Sequence, residues 1–497
     1  MTFRTAVSIG CVLTTVLIAI AVAATTPAFS NDSQYYLQSG FLWADGRVSY
    51  AASLVGSRIY AVIYDNAFQT AFGPSIDAVS FALGVAYLLF CASVWLFMRG
   101  ALPSSPTRDL LSLALCIAGY FWLEWTRPLA EPFLAVIVIL ALAAQQASGR
   151  SSSGWSFTIW ACVAAGICGF GIGFRTEIAL LFILILVAMA WKCSTIHGVY
   201  RGAATAVAMI GIYLVISTGP QLAFRAFTGQ PMPPQLTGYL LFYKTVEDFG
   251  NPGNGPASAK LQQLGSRIVE DIPELQSINP MRVGLSGAFT NGGPAAANRL
   301  FIDAGIETLR SSPVEVAKGT LTAFVNYMLI YGGDAYVVRS DDLQAIADAN
   351  DTLQRIDQVR VKQSVLRFGG DHFWPVATIT EHRHALGRML DNIPTVSVVF
   401  SLPAWIVVAL ALWAYTCECR RNGPINIVLV AAAFYVGSCL VAAFSQGFGQ
   451  RYWLPSSFCL TLVSVSAIVA TTSFVSLAQC YVNRTMNGRS AGQVHDT

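Results

Sequence analysis

The sequence predicts an all-α integral membrane protein with about ten transmembrane helices, a helical first outer loop and a small polar outer region. Of its 497 residues, 54% are hydrophobic and only 11% are charged, whereas soluble domains carry about 25% charged residues. The mean hydropathy is +0.55, and apolar runs long enough to cross a bilayer recur along the chain. The net charge of +3 is too small to indicate a nucleic-acid partner.

Hydropathy and short charged loops delimit the spans. The ten predicted spans are residues 7–29, 76–98, 109–124, 129–146, 155–173, 177–191, 203–222, 394–415, 424–444 and 454–478. Among the short loops, those assigned to the cytoplasm carry most of the basic residues, namely Arg99, Arg108, Arg150, Lys192, Arg201, Arg420 and Arg421. By the positive-inside rule, both termini are therefore predicted in the cytoplasm. A bacterial plasma (inner) membrane is the preferred location; a eukaryotic endomembrane stays open.

The first span could also be read as a cleaved signal peptide, because Ala28-Phe29-Ser30 is compatible with a signal-peptidase site. Its apolar run is long for a signal peptide and many spans follow, so an uncleaved span is favoured. The chain divides into a seven-span module, a polar outer region, a three-span segment and a disordered cytoplasmic tail: residues 1–222, 223–392, 393–480 and 481–497. Within the polar region, the apolar segment 314–333 is predicted to be re-entrant or packed on the bundle. A full crossing would place Arg420 and Arg421 on the outer side of the membrane, against the positive-inside rule.

Three arginines oppose this charge distribution, since each is the one basic residue of a short outer turn: Arg127, Arg175 and Arg451. Glu131, Glu177 and Tyr452 stand beside them in sequence, in that order. Guanidinium groups bind phosphate through paired hydrogen bonds, which favours an anionic lipid ligand. Structural ion pairs and snorkelling to the interface are the alternative interpretation.

Two carboxylates at the same predicted membrane depth are candidates for chemistry, because acids near a bilayer are costly and commonly functional. Asp32 directly follows the first span, and Glu131 opens the fourth span between Pro128 and Pro132. Asp32 could instead cap a helix of the first outer loop. Glu124 and Glu177 are secondary candidates that could simply pair with Arg127 and Arg175.

No cofactor or metal site is predicted. His372, His382 and His384 lie in the late outer loop, and Cys417-Glu418-Cys419 in a cytoplasmic one, without a ligand spacing typical of zinc. A divalent metal is therefore unsupported, although the sequence does not rule one out. There is no Walker A loop, dinucleotide-binding glycine turn or Gly-x-Ser-x-Gly element.

Three short motifs occur in a characteristic order: Asn31-Asp32-Ser33-Gln34-Tyr35-Tyr36, Arg127-Pro128-Leu129-Ala130-Glu131-Pro132 and Arg451-Tyr452-Trp453-Leu454-Pro455. This pattern resembles the GT-C superfamily of integral membrane glycosyltransferases. The similarity is greatest to the polyprenyl-phosphate-sugar-dependent group of protein O-mannosyltransferases and lipid A aminoarabinose transferases. It covers the N-terminal half and one late turn. Some members have two adjacent acids after the first span, whereas Asp32 lies between Asn31 and Ser33.

The resemblance implies a GT-C-like bundle and an inverting hexosyl or pentosyl transfer at the outer membrane face. The donor would be a polyprenyl-phosphate-linked sugar and the acceptor a lipid, glycan or protein. Asp32 would act as the general base or orient the acceptor hydroxyl, and Glu131 would help to place the acceptor or the donor. Residues expected to bind substrate are Tyr35, Tyr36, Arg127, Arg175, Arg451 and Tyr452, with the arginines holding the lipid phosphate.

Other functions remain open on sequence alone. A polytopic transporter or flippase of lipid-linked glycans is the main alternative, although such proteins commonly have mid-span charges and an internal repeat. An O-antigen-type polymerase or ligase is another, and a non-catalytic scaffold would leave Asp32 and Glu131 unexplained.

Overall fold

The computed structural model of the chain is almost entirely helical. It describes residues 3–24, 58–73, 76–123, 125, 130–229, 232, 241, 245, 253–271, 280–325, 336–338, 397–399, 402–422, 425–445 and 454–491. Within these ranges the predicted all-α membrane fold is confirmed.

The described helices run in chain order from the N-terminal span to a long C-terminal helix. They are α1 (Phe3–Ala24), α2 (Ile59–Phe72), α3 (Ile76–Ala101), α4 (Pro106–Trp122), α5 (Glu131–Gly149), α6 (Gly154–Gly171), α7 (Ile178–His197), α8 (Val199–Ser217), α9 (Gly219–Thr228), α10 (Pro256–Asp271), α11 (Pro280–Ser311), α12 (Pro313–Val325), α13 (Ala404–Asn422), α14 (Ile427–Ser445) and α15 (Leu454–Ala491). Two three-residue strands, β1 (Tyr336–Val338) and β2 (Ser397–Val399), pair antiparallel.

Eight stretches among the described residues are long and apolar enough to cross a membrane. They fall in α1, α3, α5, α6, α7, the α8–α9 pair, α14 and α15. Large apolar side chains point outward from the bundle: Leu17 is 64% exposed and Val207 is 70% exposed. Because such surfaces are unfavourable in water, these faces fit a surrounding of lipid.

The other two predicted spans correspond to α4 and α13, whose apolar stretches are shorter than those of the other eight. α4 has 17 residues and carries Asp109 in its first turn, and the apolar part of α13 is Ala404–Cys419. The predicted boundary of 394–415 is wrong, because residues 397–399 form β2 and the helix begins after Pro403. The Pro403 carbonyl accepts hydrogen bonds from the N–H groups of Ile406 and Val407, as expected at a helix start.

Two further boundaries differ from the sequence-based assignment. The last helix continues to Ala491, past the predicted end of the span at 478 and into the predicted tail. α12 covers the first part of the apolar segment 314–333 and packs against α14. Residues 326–333 lie outside the described ranges.

Ordinary local signals start and stop these helices. The Ser105 hydroxyl accepts a hydrogen bond from the Arg108 N–H at 3.2 Å, and Pro106 opens α4. Ser153 caps α6 in the same way through the Ser156 N–H at 3.1 Å. α9 ends at Gly229, whose φ of 71° suits glycine.

Helix packing sorts the charged residues to two ends of the bundle. Glu131 and Arg175 meet at one end, which we call the Glu131 end. At the other, the Lys192 end, side chains approach glycines of neighbouring helices. A Cβ added to Gly149 would lie 2.8 Å from Lys192 Nζ, and one added to Gly100 would lie 3.9 Å from a guanidinium nitrogen of Arg150.

The polar region contains a separate helical hairpin, α10 packed on α11, with its own small apolar core. The Glu307 carboxylate of α11 accepts hydrogen bonds from the N–H groups of Ala257 at 2.9 Å and Ser258 at 2.8 Å. Burial raises the pKa of Glu307, but these bonds and one from the Ser258 hydroxyl outweigh burial and lower it overall. Glu307 thus caps α10 from the neighbouring helix.

Candidate active site

Glu131 is the first residue of α5 and is only 4% exposed. Pro132 follows it, in a position where the missing N–H costs the helix nothing. A carboxylate at a helix N-terminus is stabilised by the helix dipole, but burial at this depth needs a cation as well.

Arg175 supplies that cation from the turn between α6 and α7. It is 2% exposed, and its backbone N–H donates to the Gly171 carbonyl at 3.0 Å, which fixes the turn. Its Nη1 donates to Glu131 Oε1 at 2.6 Å, and its Nε donates to Glu177 Oε2 at 3.1 Å. Since Nη2 also donates to Glu177 Oε1, one guanidinium bridges two carboxylates.

This cluster of Glu131, Arg175 and Glu177, the Arg175 cluster, carries a formal charge of −1. Burial by itself raises the pKa of Glu177, but the charge and hydrogen bonds of Arg175 outweigh burial and hold it below its usual value. The charge of Arg58, just before α2, acts in the same direction. Glu177 is therefore ionised at neutral pH, and removal of Arg175 would leave two acids in a dry site.

Aromatic rings wall this site and attach α2 to it. Phe133 stacks on Phe174, with ring centroids 4.8 Å apart, and Tyr60 of α2 stacks on Phe170 at 4.8 Å. The Tyr60 N–H donates to the Gly173 carbonyl at 3.0 Å. Gly173 is required here because a Cβ would clash with the Tyr60 ring.

α2 carries three buried polar side chains, Asp65, Asn66 and Gln69, which we call the α2 polar stripe. Their exposures are 7%, 8% and 1%. The Asn66 side-chain oxygen and both amide atoms of Gln69 have no hydrogen-bond partner in the structure as described. Burial raises the pKa of Asp65 from 3.8 to about 7. Buried polar atoms without a hydrogen-bond partner destabilise the folded protein unless a ligand supplies the partner.

Sequence reasoning missed the α2 polar stripe. A signal was available, because Gln69 lies four positions after Asp65 and three after Asn66, and side chains at these spacings are neighbours on a helix surface. The three polar residues interrupt an otherwise aromatic and apolar helix. The sequence predicted a helical first outer loop but singled out none of these three residues.

The predicted site residues fall into two groups. Glu131 and Arg175 are described and in contact, and the predicted Arg175–Glu177 pair is present. The sequence paired Glu131 with Arg127, which lies outside the described ranges. The partner of Glu131 that the structure describes is Arg175, 44 positions after Glu131. Six predicted site residues lie outside the described ranges: Asp32, Tyr35, Tyr36, Arg127, Arg451 and Tyr452.

Described residues that flank two of the predicted motifs are in contact. The Trp122 indole N–H donates to the Ser457 hydroxyl at 3.0 Å, and the Trp125 ring lies 5.3 Å from that of Phe90, which in turn contacts Phe458. The end of α4 and the start of α15 therefore lie together, although they are more than 300 residues apart in sequence.

The described residues contain no group of three or more His, Cys, Asp or Glu side chains that could hold a metal ion. His372, His382 and His384 lie outside the described ranges.

No protein-family profile matches the chain, and no curated protein sequence matches it. Two solved structures are similar to it, both of ArnT from Cupriavidus metallidurans. One is bound to undecaprenyl phosphate and has a TM-score of 0.33 at 13% identity, covering 92% of this chain and 78% of that one. The other is the apo state, with a TM-score of 0.32 at 12% identity, covering 92% and 77%.

Proposed function

We propose that this protein is a membrane glycosyltransferase that moves a sugar from a polyprenyl-phosphate donor to a lipid, glycan or protein acceptor. The observation that carries the proposal is the Arg175 cluster, a buried Glu131 held at the end of the bundle by a guanidinium from another helix pair. A positioned acid beside an aromatic wall is suited to orient hydroxyl groups of a sugar or acceptor.

In this mechanism the acceptor hydroxyl oxygen attacks the anomeric carbon while the bond from that carbon to the phosphate oxygen breaks. The hydroxyl proton passes to Asp32, and polyprenyl phosphate leaves with the bonding electrons. Attack opposite the leaving group inverts the anomeric configuration. Arg127 and Arg451 would offset the charge of the departing phosphate.

We revise the role of Arg175 within this proposal. The sequence assigned it to the lipid phosphate, but it is 2% exposed and its guanidinium contacts Glu131 and Glu177. It is better placed as a positioning residue that holds the Glu131 carboxylate through a hydrogen bond.

Contacts of the described residues support Asp32 at the same end of the bundle. Ala23, near the end of α1, lies against Gly84 of α3. The Tyr64 hydroxyl donates to the Ala82 carbonyl at 2.6 Å, and the Tyr64 ring lies 5.0 Å from that of Phe133. α1 thus ends on the side where Glu131 lies, and Asp32 follows eight residues after Ala24.

The α2 polar stripe adds a candidate substrate contact. The buried amide atoms of Asn66 and Gln69 that lack a hydrogen-bond partner among the described residues match the donors and acceptors of sugar hydroxyls, and the Asp65 carboxyl group is buried beside them. We include Asp65, Asn66 and Gln69 in the proposed substrate site on this basis.

The test is sugar transfer in membranes with radiolabelled polyprenyl-phosphate sugars, comparing wild type with Asp32→Asn. Glu315→Gln is the matched control, because Glu315 is an exposed carboxylate of α12. We expect Asp32→Asn to abolish transfer at normal expression and Glu315→Gln to preserve it. Retained transfer in Asp32→Asn would remove Asp32 as the base. No transfer by the wild type with any donor would contradict the proposal and leave the transporter to be tested.

A further inference from the structure

A cavity lies at the Lys192 end of the bundle. Its volume is about 110 Å³, far more than the roughly 10–15 Å³ that a single water needs. The C-terminal parts of α5 and α7, the first turn of α14 and the middle of α15 form its walls. With a rise of about 1.5 Å per residue, Gln145 to Gly149 lie roughly 21–27 Å along α5 from Glu131. The cavity is therefore separate from the candidate active site.

The charge in this cavity is positive. Lys192 and Arg150 line it together with one acid, Glu418. The Glu418 carboxylate accepts a hydrogen bond from the Val428 N–H at 3.1 Å, and the Asn426 side chain accepts one from the Leu429 N–H at 3.0 Å. Both groups therefore cap the start of α14, where the helix dipole offsets the negative charge of Glu418.

Two amide oxygens in the wall lack hydrogen bonds. Gln145 Oε1 and Gln146 Oε1 are buried, and no donor in the described structure reaches either of them. The side-chain ends of Gln146 and Lys192 occupy space left by two glycines, because a Cβ on Gly100 or Gly149 would lie 2.8 Å from Gln146 Oε1 or Lys192 Nζ. The cavity thus combines cations with open acceptors, which calls for a ligand that has both anionic oxygens and hydrogen-bond donors.

The surroundings place this end at a membrane interface. Trp191, next to Lys192, is 58% exposed, and Trp155 is 73% exposed. Exposed tryptophans at helix ends are typical of the headgroup level of a bilayer. Lipid headgroups are therefore the anionic molecules that this cavity meets at the highest local concentration.

We propose that this cavity binds the headgroup of an anionic phospholipid that bears hydroxyl groups, with its phosphodiester at Lys192 and Arg150 and its hydroxyls at Gln145 and Gln146. A phosphate contact with these cations is charge-assisted and strong, and hydroxyl donors satisfy the two amide oxygens. The site serves as a lipid anchor at the end of the bundle opposite Glu131. It does not depend on the proposed transferase activity.

The experiment uses the full-length protein, delipidated in a neutral detergent, and follows its melting temperature during titration with dioctanoyl phosphatidylglycerol. The variants are Lys192→Gln and Gln145→Leu. Arg201→Gln is the matched control, because Arg201 is an exposed cation at the same end that approaches Gly154 and does not line the cavity.

We expect the lipid to raise the melting temperature of the wild type. Lys192→Gln should weaken the apparent affinity about tenfold or more and Gln145→Leu about fivefold, with Arg201→Gln unchanged within about twofold. Should Lys192→Gln fail to fold, Gln145→Leu alone carries the test.

Three outcomes would overturn the proposal. Binding by the cavity variants equal to that of wild type excludes the cavity, and equal weakening by Arg201→Gln indicates general charge attraction. Equal stabilisation by dioctanoyl phosphatidylcholine, which lacks hydroxyl groups and net charge, excludes the assigned headgroup chemistry. Equal stabilisation by water-soluble glycerol 1-phosphate assigns the cavity to a soluble phosphate ester instead of a lipid.

Discussion

The two ends of α5 hold their charged groups in opposite ways. At Glu131 the carboxylate is buried and bridged through Arg175 to a second acid, so that each charge has a partner at hydrogen-bond distance. At Gln145 to Arg150, cations outnumber acids around a cavity, and two amide oxygens lack donors. The first arrangement fixes a geometry within the protein, whereas the second fits a molecule from outside. α5 thus has a cluster with fixed internal contacts at one end and a cavity that fits a ligand at the other.

The largest expected effect is at the bridge itself. Arg175→Met should destabilise the protein by about 3–5 kcal/mol, because it leaves the buried Glu131 and the partly buried Glu177 without their shared cation. Thermal or denaturant unfolding in detergent measures this change. The triple variant with Glu131→Gln and Glu177→Gln should recover part of the loss. A change below about 1 kcal/mol would mean that the bridge contributes little to the free energy of unfolding. The charged groups at the two ends of α5 would then differ less in energy than their contacts indicate.

The same comparison predicts a loss of activity at Glu131 without a matching loss of stability. Glu131→Gln keeps the shape of the side chain and one acceptor for Arg175, but it removes the charge with which Glu131 places a substrate in the proposed mechanism. We expect transfer to fall about 100-fold, measured with the radiolabelled donor in membranes. If Glu315→Gln lost as much, or if Glu131→Gln unfolded the protein, the role of Glu131 would be structural.

Asp65 offers a further test of how this protein holds its buried acids, because burial raises the pKa of Asp65 from 3.8 to about 7. An acid with a raised pKa binds its proton more tightly in the folded state, so its contribution to stability grows as the pH falls from about 7 toward 4 and is lost above 7. Asp65→Asn should therefore stabilise the protein at pH 8 by on the order of 2 kcal/mol and flatten its pH dependence.

Unfolding curves of wild type and Asp65→Asn between pH 5 and pH 8 test this. Asp303→Asn is the control, since Asp303 is exposed on α11 and should change neither stability nor slope. Identical pH dependence in wild type and Asp65→Asn would show that a cation or ligand keeps Asp65 ionised.

The smallest effect is a helix cap at the Lys192 end. Ser153→Ala removes the acceptor for the Ser156 N–H and should cost about 1 kcal/mol. Its exposed neighbour offers a matched control, and Ser152→Ala should stay within about 0.5 kcal/mol of wild type. Differential scanning calorimetry in detergent resolves the two. Equal stability of both variants would show that this end relies on lipid or side-chain packing more than on capping.

Much of the fold could be predicted from composition and periodicity. Apolar runs long enough to cross a bilayer can be recognised directly in the sequence. Eight of the ten predicted spans correspond to described helices of that length. The start of α13 was misplaced by ten residues, because a β-branched apolar run at 395–399 looks like the beginning of a span until its pairing with β1 is known.

The site was only partly predictable. Glu131 and Arg175 were selected because each is a charge at a helix end, and both occur in the buried cluster. Their contact was not foreseen, since the sequence offers Arg127 as a nearer partner. The α2 polar stripe and the cavity at Lys192 were also missed, because unsatisfied acceptors become visible only when their surroundings are known.

The sequence by itself therefore determined the membrane class, most of the spans and the residue types gathered at the helix ends. Solvation in a bilayer depends on local composition, which can be read directly from the sequence. Only the tertiary structure decided that Arg175 joins Glu131 to Glu177, and that Gln145 and Gln146 face a positive cavity. Those contacts depend on which helices become neighbours. Contacts between residues that are tens of positions apart along the chain produce no periodic pattern in the sequence.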